Sequence, residues 1–345
     1  MANKKILFIA SLTKNRKKSN GETNKSLSLL ECLKRSYRVK SVNVISRFSR
    51  LLKICIVALE LLNWHPDIVF ISKSVVGCRK FLMILKFFCV PPSKIIIYVN
   101  GQPHTKNGII IDGSYKILSY SRMIFCENKK FFPLFRGLGC QNVVEFPCIK
   151  DVINIPLGPK ANKDSLDLIF WARIVENKGV FKAIEAVLRL NKKAGQKLFS
   201  LTIAGPETDK ETSRRCKEIA AQYPREIIFY GDSFVADSKA SYLRLSKYDL
   251  NVFPSTFGAE CVPGSVVDCM IAGVPTATSR FDGSEDMMST RDSYFFDSTK
   301  PDDIDALLMY IHSHQNDLWG KRTESQRAAK RYSFSSFSSM FVEMI

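Results

Sequence analysis

The sequence predicts an α/β protein made of two successive doubly wound domains, and three observations carry that expectation. Short apolar, β-rich runs alternate with helical stretches through about residue 147, the same alternation restarts near residue 165, and charge divides sharply between the two halves. Repeats of strand, helix and strand call for a parallel sheet covered on both faces, because each crossover lays a helix against the sheet. At 345 residues the chain also exceeds the usual size of one domain.

Taken in order, KKILFIAS, YRVKSVNVI, PDIVFISKS, KIIIYVN, RMIFCEN and NVVEFP read as the strands of the first half. SLSLLECLKRS, ISRFSRLLKICIVALELL (45–62) and CRKFLMILKFFCV (78–90) read as helices between them. CIKDVINIPLGPKANKD (148–164) mixes Pro, Gly and Lys without periodicity and reads as a linker, dividing a domain 1–150 from a domain 151–330. Beyond it LDLIFWARI, FSLTIAG, EIIFYG and DLNVFPS are predicted strands, separated by FKAIEAVLRLNK, ETSRRCKEIAAQY and ADSKASYLRLSKY as helices. In such sheets ligands sit beyond the carboxyl ends of the strands, which directs attention to polar residues just after them.

Composition narrows the class. Hydrophobic content of 46% with 24% charged residues suits a globular protein, and no apolar run is long enough to span a bilayer. The first apolar run, Ile6–Leu12, is followed by a basic loop instead of a cleavage site, so it reads as a buried strand and not a signal. Ten cysteines without a C-x-x-C pair point to reduced, buried thiols in a cytoplasm. Residues 1–150 hold 26 Lys and Arg against 7 Asp and Glu, a net +19, whereas residues 151–345 hold 25 against 26. This suggests that only the first half meets a polyanion, whether nucleic acid, an anionic membrane or a phosphate-bearing substrate, although a merely solvated basic surface fits the charge as well. No RNP-like aromatic stretch or helix-turn-helix pattern accompanies that charge, so nucleic acid is not the expected partner. Residues 45–62 and 78–90 mix cations (Arg47, Arg50, Lys53, Arg79, Lys80, Lys86) with large apolar residues, as interfacial helices do. The second sits directly between two strands and reads as a sheet-covering helix; the first is the candidate for a membrane surface.

The chemistry-bearing residues cluster in the second half. DLNVFPS is expected to end near Ser255 and a helix to begin near Pro263, which puts TFGAEC on the ligand edge. Glu260 lies in that loop and Asp268 about a turn and a half into the helix, so their carboxylates can stand roughly 10 Å apart at 1.5 Å rise per residue. A nucleotide diphosphate sugar spans that distance. Between the carboxylates, the backbone of Cys261, Val262, Pro263 and Gly264 leads into a helix N-terminus, whose unpaired N–H groups and positive dipole end suit a diphosphate. On spacing alone, a solvated Glu260 and a helix-dipole partner at Asp268 fit as well. WARIVENKGVFKAIEAV adds Arg173 at the end of one strand and Lys178 at the start of the next helix, two cations on the same edge.

With these residues in view, the chain resembles a family 4 glycosyltransferase of the GT-B fold. The family pattern G-R-x-x-x-x-K-G, then a strand ending in Gly, then P-S-x-x-E-G-x-P-x-x-x-x-E-A-M-A-x-G-x-P-V appears here as ARIVENKG, TIAG and PSTFGAECVPGSVVDCMIAGVPTA. The departures are Ala172 and Cys261, each for a family Gly, and Asp268 for the second Glu. The resemblance implies two Rossmann-like domains facing a cleft, with the last stretch, 331–345, a helix crossing back to the first domain. It implies that Arg173 and Lys178 bind the donor diphosphate, Glu260 the sugar and Asp268 the ribose. Retention of anomeric configuration, no catalytic metal, no cofactor beyond a UDP- or GDP-linked donor, and a bacterial surface-polysaccharide or lipopolysaccharide role follow from the same likeness. In the first domain it places Gly21 in the family's glycine-rich loop, and Asn100, with His104 nearby, where the family often has a sugar-binding His. The expected acceptor is a saccharide, including one linked to undecaprenyl diphosphate, and the expected location is the cytoplasmic face of the cell membrane. A different class, a GT-B-like protein without catalysis that serves as a binding or scaffold subunit or a nucleic-acid-associated factor, is the alternative.

Overall fold

A computed structural model describes residues 4–13, 21–44, 50–104, 110–146, 148–159, 161–232, 239–258, 260–281 and 283–344, with backbone alone at the helical positions 50, 51, 53 and 301. The basic loop at 15–18 and Arg47 lie outside the described residues, as do the side chains of Arg50 and Lys53. The chain divides into two compact units, Met1–Lys150 with Phe334–Ile345, and Asp151–Ser333.

The first unit holds a six-stranded parallel sheet, β1 (Lys5–Ala10), β2 (Arg38–Asn43), β3 (Ile68–Lys73), β4 (Ile95–Val99), β5 (Met123–Cys126) and β6 (Val143–Glu145), in the order β2-β1-β3-β4-β5-β6. Its crossovers carry α1 (Gly21–Ser36), α2 (Arg50–Trp64), α3 (Val75–Phe87) and α4 (Phe132–Gly137). Alternate residues of β1 serve opposite faces, as the two-residue strand period requires. Leu7 and Ile9 pack with Val57 of α2 and Cys78, Leu82 and Leu85 of α3. Ile6 and Phe8 pack with Leu29 and Leu33 of α1 and with Phe337 and Phe341 near the chain end. Burial on both faces is why these strands read as unbroken apolar runs.

The second unit repeats the plan with β7 (Leu166–Trp171), β8 (Phe199–Ala204), β9 (Ile227–Gly231), β10 (Leu250–Phe253), β11 (Thr276–Ser279) and β12 (Ser293–Phe296), ordered β12-β11-β10-β7-β8-β9 and all parallel. Its helices are α5 (Val180–Ala194), α6 (Lys210–Gln222), α7 (Lys239–Leu245), α8 (Gly264–Ile271), α9 (Ser284–Met287), α10 (Pro301–Ser313) and α11 (Gln315–Ala329). The last helix, α12 (Phe334–Met344), belongs to the first unit, where it packs on α1 and the β1 face. Strand order reverses between β7 and β10, and that reversal opens the crevice where open α/β sheets bind ligands.

One detail differs from the sequence reading. The stretch read as a linker has no regular element among its described residues, yet from Asp151 on it is bound into the second unit. Gln326 donates to the Ile155 carbonyl at 2.8 Å, and Gln315 both donates to the Lys163 carbonyl and accepts from its N–H, at 2.7 and 2.8 Å. Side-chain amides from α11 thus satisfy the backbone of a segment without a ladder of its own. Pro263 flanks α8 as its N-cap residue, with Gly264 the first helical residue, so that helix begins where the sequence predicts.

Candidate active site

The site grows from two neighbouring strand ends. β7 passes through Ala172 and Arg173 into a 3-10 turn, Glu176–Lys178, before α5; β10 passes through Pro254 and Ser255 into the loop before α8. Gly179, between the turn and α5, holds φ at 82°, and a Cβ there would run into the Pro254 carbonyl. Glycine is what lets the β7 loop touch the end of β10. The Thr256 N–H donates to the Asn177 carbonyl at 2.9 Å and ties the two loops together.

That junction brings Lys178 and Glu260 together as an ion pair, with both side chains almost fully enclosed. Ser255 donates its hydroxyl to the same carboxylate oxygen at 3.2 Å. The Lys178 ammonium lies 4.6 Å from the Phe257 ring centroid and 5.7 Å from that of Phe253. In so dry a setting an ammonium needs its counter-charge, and any anion entering here competes with Glu260 for it. Arg173 is half-buried, and its guanidinium has no ion pair among the described residues.

Asp268 lies inside α8, 3% exposed, and its carboxylate accepts from Trp171 Nε1 at 3.2 Å and from the Tyr242 hydroxyl at 3.5 Å. It is therefore joined to the residue two places before Arg173. Burial pushes the thiol of the next residue, Cys269, well above its ordinary range, and the Asp268 charge adds to that. Cys261 and Val262 are buried, and Val266 and Val267 turn their N–H groups back to the Pro263 carbonyl. The first N–H groups of α8, at Gly264 and Ser265, have no helical acceptor, as at any helix start.

The remaining predicted residues belong to the first unit. Gly21 opens α1, with no described residue within 4 Å of where a Cβ would stand, so the described surroundings do not demand a glycine there. Asn100 follows β4, is 7% exposed, and donates its amide to the Ser72 hydroxyl at 3.0 Å. His104 is half-buried and pairs with Ile110 in an isolated antiparallel bridge. Sequence reasoning did not single out Ser255, Trp171, Tyr242 or Phe257. Ser255 and Phe257 were available from their place just after a strand; the partners of Asp268, one on β7 and one on α7, carry no local signal.

Residues 154–332 match the model of the family Glycosyl transferases group 1, and the chain belongs to that family. No curated protein matches it. Among solved structures, Anabaena HepE in complex with UDP superposes with a TM-score of 0.73 at 11% identity over 98% of each chain. Sucrose-phosphate synthase from Thermosynechococcus elongatus gives 0.73 at 10% identity, covering 99% of this chain and 98% of that one. A glycosyltransferase from Rickettsia africae gives 0.68 at 13% identity over 99% and 98%. The fold is GT-B, two Rossmann-like domains, and the protein is a group 1 glycosyltransferase.

Proposed function

We propose that this chain is a retaining, metal-independent hexosyltransferase that moves a hexose from a UDP- or GDP-linked donor to a saccharide acceptor carried on a lipid, in surface polysaccharide synthesis. The observation that supports it most directly is the enclosed Lys178–Glu260 pair at the reversal point between β7 and β10, beside the start of α8. In this reading the donor diphosphate, with its higher charge, takes Lys178 from Glu260. The freed carboxylate then accepts hydroxyls of the sugar. Arg173 supplies the second cation, and together the two offset the charge that develops on the departing diphosphate. The unpaired N–H groups at Gly264 and Ser265, next to Cys261, Val262 and Pro263, receive the remaining phosphate oxygens. Asp268 keeps its Trp171 bond and exchanges the longer Tyr242 bond for a ribose hydroxyl. The leaving diphosphate accepts the acceptor proton. HepE was crystallised with UDP and with UDP-glucose, which makes UDP the first base to try.

The acceptor side is assigned to the first unit, with Asn100, His104 and Gly21. Its docking to anionic lipid at the inner face of the membrane is supported by apolar stripes on α2 and α3, which share one face of the sheet. Leu52, Leu59 and Leu62 of α2 and Met83 and Phe87 of α3 point outward, Phe87 at 80% exposed, among the cations of a unit that carries +19 in residues 1–150. No described helix is long and apolar enough to cross a membrane. Flotation with anionic liposomes at low salt tests the docking; a protein that stays at the bottom of the gradient removes it.

The donor reading is tested by thermal shift of wild type and Glu260→Gln with UDP, GDP and their common sugar conjugates, since a ligand of the folded state raises the midpoint by mass action. Stabilisation by one nucleotide family is expected, with Glu260→Gln losing the added gain from the sugar and keeping that from the nucleotide. No shift with any ligand would instead favour a binding or scaffold subunit.

A further inference from the structure

The first unit contains a buried polar chain that the donor site does not use. At the β1/β3 reversal of its sheet, the Ser26 hydroxyl of α1 meets the Ser72 hydroxyl at 2.9 Å, and Ser72 in turn receives the Asn100 amide at 3.0 Å. The Asn100 backbone N–H donates to the Lys73 carbonyl at 2.9 Å. The next residue, Gly101, turns with φ 75° and donates its N–H to Glu127 Oε1 at 2.8 Å. Glu127, fully buried at the end of β5, is clamped by Lys25 of α1, whose ammonium is 2.6 Å from both carboxylate oxygens. Beside them Lys73 pairs with Glu22 and bonds Ser11. Three strand ends and one helix therefore converge to hold a single carboxamide.

What they hold is incompletely satisfied. Among the described residues, the Asn100 carboxamide oxygen has no hydrogen-bond partner although it is buried, and neither does His104 Nδ1. If the amide is turned the other way round, Ser72 still takes one end and leaves the other unpaired. A buried polar atom without a partner, fixed by this many others, is the signature of a group held ready for a ligand. A hydroxyl, donor and acceptor at once, satisfies either end of the carboxamide. Among the described residues, the charged groups placed around it, Lys25 with Glu127 and Lys73 with Glu22, cancel, so the described floor offers no net charge to a phosphate.

We propose that Glu127 is a positioning residue which, through Gly101 and Lys25, fixes Asn100 for a hydroxyl of a carbohydrate, a neutral subsite within a strongly basic unit. The proposal rests on the glycosyltransferase reading above for the identity of its ligand. Glu127 touches no substrate; its effect passes through the peptide after Asn100. With only seven acidic residues among the first 150, the placement of two of them at this edge is a selective use of scarce charge.

The test measures binding of methyl α-D-glucopyranoside, its galacto and manno counterparts and N-acetylglucosamine to the full chain by ligand-observed NMR, with UDP binding followed separately by tryptophan fluorescence. Asn100→Ala is expected to lose glycoside binding, and Glu127→Ala to weaken it about tenfold, the effect of roughly one well-placed hydrogen bond. Glu127→Gln, which can still accept the Gly101 N–H, is expected to recover binding to within about threefold of wild type on the same arithmetic. UDP binding should be unchanged in all three, and because UDP reports on the second unit, continued protection of Cys78 and Cys126 from a thiol reagent at pH 8 is the measurement that shows the first unit to be folded. Unaltered glycoside binding in Asn100→Ala, or in Glu127→Ala, overturns the assignment, as does a wild type that binds no glycoside or a site that inorganic phosphate empties. Absence of UDP binding in wild type would overturn the donor reading alone, because the glycoside arm stands without it.

Discussion

Lys178 and Glu260 are each enclosed because the other is there. Removing one member of a buried pair strands a charge and costs about 3–5 kcal/mol, whereas replacing both with apolar residues is often neutral. Lys178→Ala and Glu260→Ala are thus each expected to lose about that much stability in urea denaturation, and Lys178→Met with Glu260→Leu to regain most of it. The double variant should still fail to bind the donor nucleotide, since stability returns without the cation. Recovery of both properties would mean that the pair is scaffold only. Asp268 poses a gentler case. Asp268→Ala leaves the Trp171 N–H and Tyr242 hydroxyl buried without this acceptor, a cost of about 1–3 kcal/mol per group. Asp268→Asn retains one acceptor oxygen and should lose about half as much, read from the same denaturation curves and from Trp171 emission.

At the scale of elements, two glycines make opposite predictions. Gly179→Ala forces a left-handed residue, costing about 1–2 kcal/mol, and drives its Cβ into the Pro254 carbonyl, so the β7 and β10 loops must part. Loss of stability together with loss of nucleotide binding is expected; a variant as stable as wild type would show that the loops tolerate separation. Gly21→Ala, with no described residue within 4 Å of the added Cβ, should leave stability within about 0.5 kcal/mol, the range of ordinary surface changes. The contrast also measures what the sequence could tell. Strands such as IIIYV and LDLIFW were legible because burial on both faces demands unbroken apolar runs. β11, TATS, was not, because its buried hydroxyls satisfy partners that only the fold supplies: Thr278 donates to the Phe253 carbonyl at 3.2 Å and Thr276 accepts from Asn251 at 3.2 Å. In the same way Lys178 and Glu260 were legible as residue types at strand ends. Their pairing was not, since it depends on β7 lying beside β10 across some eighty residues of chain. Glu127 was hidden for that reason too, its partners Lys25 and Gly101 coming from two other elements.

At the scale of the whole molecule, the cysteines link burial to pH. All ten are free, and Cys55 and Cys89 alone among them are exposed. Burial, the largest cause in each case, pushes the thiols of Cys78, Cys126 and Cys216 up to about 12 and that of Cys140 to about 11, from an ordinary value of 9.0. The folded state therefore holds its thiol protons to higher pH than the unfolded chain does. A raised folded value gives stability that is complete below pH 9 and is lost as pH climbs through 9 toward 12, because the unfolded state alone gains by ionising. By pH 10.5 the loss at Cys78 and Cys126 is about 2 kcal/mol each, at 1.36 kcal/mol per pH unit. Because these thiols are spread over both units, urea midpoints of each unfolding transition should hold steady from pH 7 to 8.5 and fall by pH 10.5. Titration with a thiol reagent at pH 8 makes the companion count: two fast thiols in the native protein and ten in urea. More than two fast thiols without denaturant, or a midpoint indifferent to alkaline pH, would place water beside thiols that the fold encloses.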